Sequence, residues 1–179
     1  WLWIVAASSL WAAWLRIPQL DSLPPQAYVD EAWYNLTARN LLQTHNWQVF
    51  YPTFWGGMRP LLVDLTALSQ ALGFHSPVAS RAVTATAGVL CVPLTFVCCD
   101  ELLRREPWSA NRRRLTAAVA AVVAPNLLFQ LIASRVGYAP ILIPLLTLFA
   151  VWQMRRAERT GRRLGWVLAG LGLGLSQYV

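Results

Sequence analysis

Residues 80–103 read SRAVTATAGVLCVPLTFVCCDELL, an apolar run that, at 1.5 Å per helical residue, is long enough to cross a hydrocarbon layer of roughly 30 Å. Comparable runs lie on either side of it, and the pattern predicts membrane helices at about 1–15, 80–103, 115–133, 138–154 and 164–179. Composition agrees: 56% of the 179 residues are hydrophobic, ten are Trp, and mean hydropathy is +0.43. The expected fold is all-α, a polytopic membrane protein with about five transmembrane helices, the first and last incomplete. Trp1 is not a start Met and Val179 stands inside an apolar run. The chain is therefore expected to be an N-terminal fragment, inactive by itself. The 1–15 stretch lacks the basic start and small-residue cleavage pattern of a signal peptide. Cys91, Cys98 and Cys99 all fall within the 80–103 run with no His partners, so they read as polarizable packing residues.

Charge sets the orientation. All 15 basic residues are Arg, and net charge is +7. They cluster as Arg104 and Arg105 with Arg112 to Arg114, and as Arg155, Arg156, Arg159, Arg162 and Arg163. A pI near 10.2 in a soluble chain suggests nucleic acid, but basic clusters abutting apolar helices read as cytoplasmic loops, so no nucleic-acid partner is expected. Both clusters fall on one side when the 60–72 segment stays out of the membrane. That segment covers only about 20 Å as a helix, too little to cross. Leu61, Leu65, Leu68 and Leu72 form one stripe along it, with Asp64 at the border and Gln70 behind, as in a helix lying in the interface plane. The loop 16–79 then faces the extracytoplasmic side with two juxtamembrane helices, one over about 32–43 and one starting at Pro60.

Within that loop stands the pair Asp30 and Glu31, two carboxylates in a non-membrane stretch of a membrane-loving chain. As structural groups, Asp30 suits a helix N-cap and Glu31 the positive end of a helix dipole. As chemical groups, a carboxylate beside lipid and aromatic surface gains proton affinity and serves as a base when it reaches the proton it abstracts. Between the two helices run Trp47, Phe50, Tyr51, Phe54, Trp55, Gly56 and Gly57, which suit an interfacial belt or the lining of a cleft for sugar or lipid. Arg39, Arg81 and Arg135 suit interfacial anchors. His45 and His75 are isolated and mark no metal site. Asn35-Leu36-Thr37 fits a glycosylation acceptor by chance, and Gly170, Gly172 and Gly174 sit in an apolar run as a helix-packing surface. No Walker motif, nucleophile elbow or internal repeat appears.

Taken in order, Asp30-Glu31 at the head of an outer helix, Arg59-Pro60 with Leu65-Thr66-Ala67-Leu68-Ser69 opening a second, and a membrane helix entered through Arg81 resemble the GT-C glycosyltransferases. Within that class the chain is similar to the bacterial family of protein O-mannosyltransferases and the aminoarabinose transferases acting on lipid A. The likeness continues through Ala124-Pro125-Asn126, Ser134-Arg135-Val136-Gly137 and Gly172-Leu173-Gly174-Leu175-Ser176. It covers nearly all of this chain and about the first third of a family member. Met58-Arg59-Pro60-Leu61 departs from the family text, with one Pro missing and Arg in place of Lys.

The resemblance implies transfer of a sugar from a polyprenyl-phosphate donor to a hydroxyl of a protein, lipid or glycan acceptor on the outer face of a cell membrane, with inversion. Asp30 would act as general base or as the group that orients the acceptor hydroxyl, with Glu31 orienting the acceptor or a neighbouring base. Arg59, Arg81 and Arg135 would hold the lipid phosphate through the guanidinium fork, Arg59 first. The resemblance fixes no cofactor and leaves a divalent metal open. Some GT-C enzymes use a divalent metal through a different acidic pattern, which one Asp-Glu pair does not reproduce. Two other classes fit a polytopic chain: a transporter, which predicts buried charge at mid-depth, and a noncatalytic membrane subunit whose aromatic loop binds a partner.

Overall fold

A computed structural model describes residues 1–49, 51 and 60–179. The fold is all-α, with no strand among the described residues. Eight α-helices are described: α1 Leu2–Arg16, α2 Val29–Thr44, α3 Pro60–Ala71, α4 Val78–Leu102, α5 Ala110–Val123, α6 Leu128–Arg135, α7 Leu142–Thr160 and α8 Arg163–Ser176. The long α4 is the axis, and α1, α3, α5, α6 and α7 pack against it. The α2 helix lies mainly on α3, and α8 on α7.

Local chemistry explains most boundaries. Ser109 caps α5 by accepting the Arg112 backbone N–H at 3.3 Å. Gly161 takes φ +68° to end α7, the left-handed conformation that glycine adopts without a Cβ penalty. The expected single span at 115–133 is instead two helices, α5 and α6, meeting at 54°. Pro125 lacks an N–H and cannot continue the helical ladder. The amide of Asn126 donates to Val122 O at 2.5 Å beside the break. The α7 helix extends six residues beyond the expected end at 154, carrying Arg155, Arg156 and Arg159 on its last turns.

Among the described residues one helix, Val78–Arg105 with its terminal 3-10 turn, is long and apolar enough to cross a membrane, and the bent α5–α6 pair adds a second if it is one span. The apolar helices α1 and α8 have 15 and 14 residues, about 21–23 Å at the helical rise. By this criterion the five expected spans reduce to one or two.

The packing places small residues inside and large apolar residues outside. More than half of the buried apolar residues are alanines, including Ala12, Ala87, Ala117, Ala118, Ala121 and Ala133. Trp3, Leu10, Trp11 and Trp14 on α1, Leu115 and Val119 on α5, and Trp166 and Val167 on α8 are exposed. None of the described tryptophans is buried. On α3, Leu62, Val63, Thr66 and Ala67 face inward while Leu68 and Leu72 stay exposed, so the leucine stripe borders the buried face rather than forming it.

Charged groups gather in two layers at the ends of α4. The first is built on Arg81. The second joins Asp100 and Glu101 to Arg104, Arg113 and Arg159, and Glu158 to Arg105 and Arg155. Residues 82–99 of α4 carry no charge, and the 19 positions from Arg81 to Asp100 rise about 28 Å.

Candidate functional site

The first layer is assembled from the start of α2, the start of α4, the 17–28 loop and the end of α6. Helix α2 begins three residues earlier than the sequence suggests, which puts Asp30 and Glu31 in its first turn. The N-cap is Tyr28, extended at φ −68° and ψ 152°, rather than Asp30. Glu31 reaches back to accept the Tyr28 N–H at 3.2 Å, satisfying one of the orphan donors of a helix start.

Glu31 is fully buried and so is its partner, Arg81. The guanidinium Nε donates to Glu31 Oε1 at 2.5 Å and Nη2 donates to Oε2 at 3.0 Å. The remaining N–H groups are also committed: Nη1 donates to Leu20 O at 2.8 Å and Pro24 O at 3.1 Å, and Nη2 to Gln26 O at 3.2 Å. A guanidinium has five N–H donors, and all five are used. Arg81 therefore has no donor left for a phosphate, and Glu31, which accepts three hydrogen bonds and is fully buried, presents no oxygen to an acceptor. The roles expected for both are corrected by this geometry: together they fasten the 17–28 loop to the head of α4.

Gly137 closes the pair from above. Its φ is +64°, and a Cβ there would lie 2.9 Å from Ser80 Oγ and 3.1 Å from Glu31 Oε1. The approach needs a residue with no side chain. Below, the Asn35 amide donates to Glu31 O at 2.8 Å and to Ser80 Oγ at 2.7 Å, while Gln70 Nε2 donates to Asn35 O at 3.0 Å. This network ties α2 to α3 and α4. It also spends both amide hydrogens of Asn35, which is buried and so is not presented as a glycan acceptor.

Asp30 contrasts with its neighbour. Its half-buried carboxylate makes no hydrogen bond and no ion pair with any described residue. Tyr34, one turn on, has its phenol pushed up to about 12, first by burial, then by the negative charge of Asp30 and by Tyr138. Tyr138 in turn packs edge-on against Tyr28, ring centroids 6.5 Å apart.

Arg135 closes the 17–28 loop from the α6 side. Its Nη1 donates to Leu15 O at 2.9 Å, and its Nη2 to Pro18 O at 3.0 Å and Leu23 O at 3.2 Å. Those acceptors are neutral, so its charge has no carboxylate partner among the described residues, and two of its five donors stay open. Arg59 lies outside the described residues, as do Phe50, Phe54, Trp55, Gly56 and Gly57 of the aromatic stretch.

Two further acids and a buried cation complete the picture. Asp64 accepts the Tyr51 O–H at 2.9 Å; burial raises its carboxyl above the usual range, partly offset by that bond. Burial, the bond to Asp64 and its charge push the Tyr51 phenol up to about 12. Arg16 is fully buried, its Nη1 donating to Ala12 O at 3.2 Å, and a Cβ on Gly88 would fall 2.7 Å from its Nε. Among the described residues no group of three His, Cys, Asp or Glu side chains is placed to hold a metal ion.

Sequence reasoning brought Asp30, Glu31 and Arg81 into one site but missed Asn35, Ser80, Tyr34 and Gly137. Asn35 stood out only through the chance Asn35-Leu36-Thr37 pattern, Ser80 only as a small polar residue at the head of an apolar run, and Gly137 only as the end of a Ser-Arg-Val-Gly run. No protein-family model, no curated protein and no solved structure matches this chain.

Proposed function

We propose that the chain forms part of a multi-pass membrane glycosyltransferase of the GT-C type, moving a sugar from a polyprenyl-phosphate donor to an acceptor hydroxyl on the extracytoplasmic face. The observation that carries the reading is the open carboxylate of Asp30, beside a rigid Glu31–Arg81 pair and in the same polar layer as the carbonyl-bound Arg135.

Three features support the membrane setting. Small residues inside and Trp and Leu outside suit helices that pack by close approach in lipid. An exposed apolar surface on this scale needs lipid or protein to cover it. The charge-free stretch of α4 between the two layers matches a hydrocarbon core of roughly 30 Å. With the second layer, rich in Arg, on the cytoplasmic side, Asp30 faces outward.

In the proposed step, Asp30 takes the proton of the acceptor hydroxyl as that oxygen attacks the anomeric carbon. The bond from that carbon to the phosphate oxygen breaks on the opposite face, and the lipid phosphate leaves with the electron pair. Arg135 stabilises its charge through its two uncommitted N–H groups. Glu31 and Arg81 act by holding the first turn of α2 in place, so the base is positioned before substrate arrives.

The test is transfer from a radiolabelled polyprenyl-phosphate sugar by membranes carrying the protein in its natural full length, comparing wild type with Asp30→Asn at matched expression. The expected outcome is loss of transfer by about 10²-fold or more, the scale of a general base, with unchanged abundance. Equal transfer by both reduces Asp30 to a helix-dipole partner of α2. A transporter draws on one observation, Arg16 buried beside Gly88 about 10 Å along α4 from Arg81; it gains if no donor supports transfer.

A further inference from the structure

A second cleft, of about 310 Å³, runs along the exposed face of α2 and the segment that follows it. Trp33, Thr37, Asn40 and Thr44 come from the helix, and Asn46 and Gln48 from beyond it. Its volume stands at the low end of the range for small-molecule sites, roughly 300–1,000 Å³. Among the described residues no charged side chain lines it. The amides of Asn40, Asn46 and Gln48 make no side-chain hydrogen bond with any described residue, so donors and acceptors stand open around one indole. Trp33 is 43% exposed.

That combination is selective. A flat ring offers an apolar face, and neutral amides and hydroxyls both donate and accept. A neutral polyol has the same two aspects, C–H faces and a rim of hydroxyls. An anionic ligand would find no cation among the described residues here, and a purely apolar chain would leave the amides unpaired at a cost. We infer that this cleft is a binding site for a neutral glycan chain.

Its placement extends the function proposed above, on which this part rests. Asp30, Trp33, Thr37, Asn40 and Thr44 recur at spacings of three and four residues and share one face of α2. Thr37 stands seven residues from Asp30, about 10 Å along the axis. A glycan lying in the cleft directs one end toward the Asp30 carboxylate. The site thus selects the acceptor, and the acceptor is an extended neutral saccharide rather than a phosphorylated lipid.

The probes are mannopentaose and cellopentaose, with oligogalacturonate as an anionic control, binding measured by saturation-transfer NMR and by calorimetry on the full-length protein in nanodiscs. The expected result is retention of at least one neutral pentasaccharide and not of oligogalacturonate. Trp33→Ala weakens it at least tenfold, and Trp33→Phe preserves most of it. Failure of wild type to bind either neutral probe overturns the inference, as does equal binding by Trp33→Ala, or oligogalacturonate binding as tightly as the neutral chains. Binding is read without any transfer reaction. Saccharide binding in a protein that transfers no sugar therefore removes the transferase reading and keeps the cleft, whereas transfer without saccharide binding does the reverse.

Discussion

The two charged layers of α4 are built from the same kinds of group and held in opposite ways. At the first, one carboxylate and one guanidinium are withdrawn from solvent, joined by two hydrogen bonds and surrounded by backbone carbonyls. At the second, three carboxylates share five arginines of graded exposure, from 14% at Arg113 to 47% at Arg159 and 66% at Arg105. Arg112 and Arg156 spread further charge over Trp108 and Trp152. Burial decides the difference. An exposed pair returns about 0–1 kcal/mol because water and salt screen it. A buried pair repays its desolvation only with complete hydrogen bonding, and then its geometry is hard to alter. One end of α4 is therefore set in position, and the other is a solvated collar of positive charge.

The largest expected effect comes from breaking the first layer. Arg81→Met leaves the Glu31 carboxylate buried without its cation, and Glu31→Leu leaves the guanidinium without its anion. Each is expected to cost about 3–5 kcal/mol, read as a lowered thermal midpoint in detergent micelles. The double variant Glu31→Leu with Arg81→Met is expected to lose less than the sum, since no charge is stranded. If the singles cost under about 1 kcal/mol, the range of exposed pairs, the layers do not differ and the contrast fails. Transfer should fall with stability, because Asp30 sits on the same turn that Glu31 fastens.

A smaller effect separates the layers by pH. The Tyr34 phenol is raised to about 12 by burial, Asp30 and Tyr138, against an unfolded value near 10. A raised value contributes stability in full below pH 10, and that contribution is lost as pH climbs from 10 toward 12. Two units correspond to roughly 3 kcal/mol at most. Thermal midpoints of wild type are expected to drop across this window and those of Tyr34→Phe to drop less. Asp30→Asn removes one of these charges, so it should shift the Tyr34 titration, followed by its ultraviolet absorbance, to lower pH. A Tyr34→Phe profile parallel to wild type would place the alkaline loss elsewhere.

The same contrast marks what sequence could tell. The second layer was legible because it is local: arginines repeated next to apolar runs carry their meaning in composition. All-helical architecture was legible for the same reason, from periodicity and length. The first layer depends on pairing across 50 positions between Glu31 and Arg81, and nothing local distinguishes a buried, saturated Arg from an anchor at an interface. Asp30 looked like the N-cap because Asp favours that position. Tyr28 holds it because the capping bond comes from Glu31, three residues on, whatever side chain stands at the cap. The 115–133 run read as one helix because its hydropathy is continuous, although Pro125 marks the break. The cleft along α2 was not legible in the sequence, since Trp33, Asn40 and Gln48 meet only through the rise of α2 and the chain that follows it.

The smallest effect is expected at Arg105. It bonds Glu158 at 2.7 Å, but Glu158 also accepts from Arg155 at 2.9 Å, so removing Arg105 strands no carboxylate. Arg105→Ala should change the thermal midpoint by no more than about 0.5 kcal/mol equivalent, and that remnant should shrink further when salt is raised toward 1 M, where the screening length is about 3 Å. The same salt series should leave the Arg81→Met penalty nearly unchanged, because ions do not reach a fully buried pair. Salt dependence is thus the sharper discriminator of the two layers. If both penalties collapse together in high salt, Arg81 is reached by solvent, its donors become available, and it returns as a candidate for phosphate beside Arg135.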